Sequence, residues 1–190
     1  ILAGGKGTRM KPYTIGLPKP LVPIGGMPIL EIIIKQLVKH GFTKITITVN
    51  HMAELIVDFF GDGSDWNVKI DYSLEDKPLS TMGPLTLIKD LPDHFLVMNG
   101  DVLTDLDYGR FYNTHVKGKR LFTISSFKRT QKVDYGVLNT NGGKSLVGFQ
   151  EKPEIPLEVS MGIYMASKHI LKYIPNDTCF GFDHLMLELI

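Results

Sequence analysis

Three short apolar runs, at 44–49, 68–73 and 95–98, alternate with stretches whose apolar residues recur at helical spacing. In the first run Ile45, Ile47 and Val49 alternate with polar residues, the period of a strand. Residues 29–40 set Ile29, Ile32, Ile33, Leu37 and Val38 toward one side, and Gly41 follows as a stop. Further helices are expected over 52–60, ending at Gly61, over 84–89 with Pro84 in the first turn, and over 106–115 with Asp105 as cap. Residues 1–3 read as the end of a strand and 121–127 as another. Strands that alternate with helices are joined by right-handed crossovers. The chain is thereby limited to the α/β class: a Rossmann-like, mostly parallel sheet with helices on both faces. After Gln131 the pattern shortens to strands at 136–138 and 146–150 around the turn "NTNGGK", a small β-rich subregion. With 190 residues, 43% of them hydrophobic, the chain can bury one domain core.

Lysine and arginine number 21 against 20 acidic residues, a net charge of +1. That balance argues against nucleic acid and against an acidic membrane surface as partners, so any positive site is local. One cysteine, Cys179, excludes an internal disulfide and fits a reducing compartment. No apolar run is long enough for a bilayer span and no signal peptide is visible, so the expected location is cytoplasmic.

The opening "ILAGGKGTRMKPYTIGLPKPLVPIGG" sits directly after the first strand. Ligands of open α/β sheets bind beyond the carboxyl ends of the strands, which is where this loop falls. Gly4, Gly5 and Gly7 allow successive backbone N–H groups to converge on an anion, and Arg9 and Lys19 add positive charge. It is not a P-loop, and Met10 stands where a dinucleotide fingerprint needs its third glycine. An ordinary glycine turn with solvated cations is the alternative for so short a cluster.

The longer run, from Gly4-Gly5-x-Gly7-Thr8-Arg9 through Pro12 and Thr14 to Pro18-Lys19-Pro20-Leu21, resembles the opening signature of the sugar-1-phosphate nucleotidylyltransferases. The resemblance continues in order through "SLEDKPLSTMGPL", "FLVMNGDV", "DYGVL", "GFQEKP" and "SMGIYM", most of the chain, and the form of the first of these is closest to mannose-1-phosphate guanylyltransferase-like members. Ser80 and Met82 depart from the family's usual Gly and Ala.

The resemblance implies a GT-A-like fold whose β-rich subregion binds sugar, Mg²⁺ as cofactor, and NTP and a sugar 1-phosphate as substrates. It implies catalytic roles for Arg9, Lys19, Asp101 and Lys152, with Asp101 the metal ligand. Nucleotide binding would fall to Leu2, Ala3, Gly4, Gly5, Gly7, Thr8, Arg9, Glu75, Ser80, Thr81 and Gly83. Gly136, Glu151, Lys152 and Gly162 would bind the sugar phosphate. Glu75, an acceptor only, could read the donor edge of guanine, which points to GTP with mannose 1-phosphate. Uridylyl or thymidylyl transfer to glucose 1-phosphate and a non-catalytic nucleotide-sugar sensor are the alternatives. Taken alone, Asp101 also reads as a turn or cap aspartate, Glu75 as an exposed loop carboxylate, and Glu151-Lys152 as a solvated pair.

The six histidines show no metal-ligand spacing and read as surface or capping residues; Met82, Met161, Met165 and Met186 read as core or pocket filler. The family's second metal carboxylate has no counterpart after Met165, and the sole tryptophan is Trp66. Residues 1–190 are therefore expected to be a catalytic domain truncated at both ends, with a homo-oligomer or fused further domains compatible with the resemblance.

Overall fold

The computed structural model describes every residue except Lys6, Thr8, Arg9 and Lys11. The chain divides into two compact units, Ile1–Thr123 with Gly162–Ile190, and Ile124–Met161. The elements in order are β1 (Pro23–Ile24), β2 (Met27–Pro28), α1 (Ile29–Lys39), β3 (Lys44–Val49), α2 (Ala53–Phe60), β4 (Lys69–Leu74), β5 (His94–Met98), α3 (Tyr108–Lys117), β6 (Phe122–Lys132), β7 (Val137–Thr140), β8 (Leu146–Gln150), β9 (Glu154–Ser167) and α4 (Phe182–Leu189). Among the described residues no helix is long and apolar enough to cross a membrane.

In the first unit β3 and β4 pair in parallel, and Leu2 bridges in parallel to Thr48 on one side and to Asn99 on the other. Residues 1–3 thus lie between β3 and the end of β5. β9 then pairs antiparallel with β5 and has β6 on its far side. Strand pleating divides the apolar residues between two cores. Phe95 and Val97 of β5 join Tyr164 and Ala166 of β9 and Leu185 of α4. Their neighbours Met98, Ile163 and Met165 join Ile33 of α1, Ile56 and Phe60 of α2 and Phe111 of α3. Helices therefore cover both faces, as alternating elements require.

α1 buries Ile29, Leu30, Ile33, Ile34 and Leu37. The expected stripe is corrected: Leu30 and Ile34 face the core, while Ile32 and Val38 are only half-buried. An all-apolar run such as Ile32-Ile33-Ile34 leaves the facing side to packing. Residues 83–87 form a 3-10 turn, not an α-helix. Met82 and Gly83 both donate their N–H to the Phe180 carbonyl at 2.9 Å, which pins the segment before it can wind further. The cap of α3 is Asp107, not Asp105: its Oδ1 accepts from the Arg110 N–H at 2.9 Å. Ahead of the helix the Thr104 hydroxyl accepts from the Leu106 N–H at 3.1 Å.

The reading of all histidines as surface or capping residues is also corrected. His115 is fully buried, with Nδ1 2.8 Å from the Thr123 hydroxyl and Nε2 3.1 Å from His94 Nδ1. Burial, then the neighbouring charges of His94 and Arg120, lower its pKa below the usual histidine value. The unfolded chain therefore takes up a proton on this ring at a pH where the folded chain does not. Stability is expected to fall as pH drops below about 6.5. Urea denaturation midpoints across that range will show the loss, and His115→Gln will show a shallower slope.

The second unit contains the expected hairpin. β7 and β8 pair antiparallel, Val137 opposite Gln150 and Leu138 opposite Phe149, with a register shift at Asn139/Thr140. Its turn is closed by the Asn141 N–H donating to the Ser145 carbonyl at 3.1 Å. Gly142 and Gly143, at φ of 67° and 87°, supply the left-handed backbone that such a turn demands.

Candidate active site

A cavity of about 730 Å³ opens at the carboxyl ends of β3, β5 and residues 1–3. Leu2, Ala3, Gly4, Gly5, Gly7, Lys19, Glu75, Ser80, Thr81 and Asp101 all line it. Ten sequence-predicted residues from four separate stretches of chain thus meet in one place. Thr8 and Arg9 lie outside the described residues.

The glycine loop is held by side chains that only glycine permits. A Cβ at Gly4 would stand 2.7 Å from Glu75 Oε1. Gly7 has φ of 59°, and a Cβ there would stand 3.0 Å from Thr14 Cγ2 and 3.3 Å from Lys19 Cβ. The buried Thr14 hydroxyl donates to the Gly7 carbonyl at 2.8 Å, fastening the loop to the segment that carries Lys19. Lys19 begins a 3-10 turn, Lys19–Leu21, between Pro18 and Pro20. Pro20 and Leu21 are buried and anchor the turn, which leaves the lysine side chain directed to the cavity. There its Nζ forms an ion pair and hydrogen bond with Asp101 Oδ2. Both side chains keep access to solvent, 33% and 27% exposed.

Asp101 follows β5 at the same sheet edge. Mg²⁺ takes oxygen ligands and is held by one or two carboxylates together with substrate phosphates. Asp101 supplies one carboxylate, and among the described residues no three His, Cys, Asp or Glu side chains cluster to hold a metal. This donor set fits Mg²⁺ as an ion shared with phosphate oxygens.

Glu75 is buried, 7% exposed, and is no exposed loop carboxylate. Its Oε2 accepts from the Leu79 N–H at 3.1 Å, and its main-chain carbonyl accepts from Asn50 Nδ2 at 2.7 Å. Burial pushes the carboxyl pKa up, and the Leu79 N–H opposes that by favouring the ionised form. Ser80, which replaces the family's glycine, is at φ of 64°, a conformation in which glycine is unstrained. Thr81 accepts from the Phe182 N–H at 2.8 Å, tying the cavity wall to the start of α4.

Gly83 does not line the cavity. It is buried, and a Cβ there would stand 2.6 Å from the Thr178 carbonyl, so this glycine serves chain packing. Gly162 belongs to the first unit; at φ of 74°, a Cβ on it would stand 2.4 Å from Asn99 Nδ2. Gly136, Glu151 and Lys152 belong to the second unit. There a Cβ on Gly136 would stand 3.2 Å from Glu151 Oε2, and Lys152, at φ of 44°, turns the chain after β8. Asn50 and Asn99 line the cavity and were missed from sequence. Their position just after β3 and β5 was the available signal.

Residues 1–179 match the sequence model of the nucleotidyl transferase family. The chain belongs to that family. It is 35% identical over 195 residues to a UTP–glucose-1-phosphate uridylyltransferase of Synechocystis, covering 93% of this chain and 50% of that protein. It is 34% identical over 183 residues to a mannose-1-phosphate guanyltransferase of Schizosaccharomyces pombe, covering 92% and 50%. The chain spans about half the length of these relatives. Among solved structures it is similar to HddC from Yersinia pseudotuberculosis in complex with GMP-PN, with a TM-score of 0.71, 29% identity, and coverage of 95% of this chain and 80% of that one. A putative glucose-1-phosphate thymidylyltransferase from Bacillus anthracis gives a TM-score of 0.66 at 27% identity, covering 90% and 72%. The mixed α/β architecture is thus of the GT-A-like kind.

Proposed function

We propose that this domain transfers a nucleotidyl group from an NTP to a sugar 1-phosphate, yielding an NDP-sugar and pyrophosphate. The observation that carries the reading is the meeting of Lys19 and Asp101 in a cavity also lined by Gly4, Gly5 and Gly7. A phosphate oxygen of the sugar phosphate attacks the α-phosphorus in line. The bond from that phosphorus to the bridging oxygen breaks, and pyrophosphate leaves with the electron pair. Positioning and charge neutralisation supply most of such catalysis. The backbone of Gly4, Gly5 and Gly7 receives the triphosphate, and Lys19 neutralises the repulsion between the two reacting anions. Asp101 would hold Mg²⁺, which when bound with the nucleotide would offset the charge on its phosphates. Arg9, Gly136, Glu151, Lys152 and Gly162 keep the roles that the resemblance implies for them.

In the finer reading the nucleotide is GTP and the acceptor mannose 1-phosphate. It is supported by the Glu75 Oε1 acceptor at the cavity wall and by the guanylyltransferase relatives. Uridylyl transfer to glucose 1-phosphate is the second reading, favoured by the engagement of Glu75 Oε2 with Leu79 and by the Synechocystis relative. Pyrophosphate release, measured for each NTP against a panel of sugar 1-phosphates, tests all of this. GTP with mannose 1-phosphate is expected to be fastest. Equal rates with all nucleotides would remove the guanine reading, and no release from any pair would leave a sensor.

A further inference from the structure

The sheet edge beneath the cavity has a fixed order. Glu75 donates its N–H to the Val49 carbonyl, Ala3 to Thr48, Gly100 to Leu2, and Asn99 to Gly162. Reading across the strands, the positions are therefore Glu75, Asn50, the glycine loop, Asn99 and Gly162. With strands about 4.8 Å apart, the two ends are separated by roughly 19 Å. If the base lies toward Glu75 and the phosphates lie under the loop, the Asn99 end is the acceptor side.

Asn99 is singular at that end. Asn99 lines the cavity two residues before Asp101, and among the described residues its carboxamide takes part in none of the side-chain hydrogen bonds of the first unit. Space for it exists because residue 162 has no side chain: a Cβ there would collide with Nδ2 at 2.4 Å. A carboxamide presents two donors and an acceptor without charge, which suits a hydroxyl and does not compete for the metal.

We propose that Asn99 binds a hydroxyl of the acceptor sugar and so contributes to the choice of sugar 1-phosphate. The inference rests on the nucleotidylyl-transfer reading. A site built to hydrogen-bond a hydroxyl discriminates strongly against a ligand that lacks it, because the polar group is then left unpaired. Asn99→Leu, which keeps the branched shape and removes the polar atoms, is expected to raise KM for the best sugar 1-phosphate by about tenfold or more. KM for the NTP and the thermal midpoint should be unchanged. Asn99→Ser should recover part of the loss. Deoxy analogues of the same sugar 1-phosphate locate the hydroxyl: one of them should be an equally poor substrate for the unmodified and the Leu protein. Turnover by the unmodified protein with an unchanged sugar KM in both variants overturns the inference alone. Failure of the unmodified protein to turn over any pair overturns the transfer reading and this inference with it.

Discussion

Asp101→Asn is expected to lower pyrophosphate release by on the order of 10²–10³-fold, with the thermal midpoint close to that of the unmodified chain. The substitution keeps the size of the side chain and removes the charge. It takes away the carboxylate that pairs with Lys19 in the cavity. The cost to folding is small because both partners are partly exposed, and such ion pairs contribute little to stability. Steady-state turnover at saturating Mg²⁺, beside a thermal melt, separates the two effects. Turnover near that of the unmodified protein would remove Asp101 from the reaction.

Lys19→Met should also lower turnover, again by on the order of 10²-fold, since a cation that neutralises reacting phosphates is lost. Its effect on metal binding should have the opposite sign. The Lys19 ammonium is paired with Asp101 Oδ2, so a divalent ion arriving without nucleotide must displace it. Removing the lysine frees the carboxylate. Calorimetry with Mn²⁺ on the nucleotide-free protein should therefore show tighter binding in Lys19→Met than in the unmodified chain, and binding lost in Asp101→Asn. Equal metal affinity with and without Lys19 would mean that the ion pair does not control access to the carboxylate.

Much of the architecture was legible because local pattern and tertiary demand agree. The strand at 44–49 alternates cleanly, and β3 occupies those residues. The stop at Gly41 and the hairpin around Gly142 and Gly143 depend on backbone angles that only a few residues tolerate, so sequence reveals them. The candidate site was legible for a related reason at Gly4, Gly7 and Lys19, where glycine permits close approach or a left-handed backbone and proline fixes its own, within a few residues.

The misses share a different cause. The core face of α1 was ambiguous because isoleucines follow one another, and only the sheet beneath selects among them. Gly83 carries the same residue type as Gly4 but serves a contact with Thr178, almost a hundred positions along the chain. His115 looks like any surface histidine until His94 and Thr123 are brought against it. What the sequence by itself determined was the α/β class, the element order and the residues able to meet phosphate, since these follow from periodicity and from conformations that few residues adopt. Only the tertiary structure decided that Asp101 faces Lys19, that Glu75 is buried under Gly4, and that Asn99 stands open to the cavity. Those relations join strands distant in sequence, and no local rule of spacing encodes which of them become neighbours.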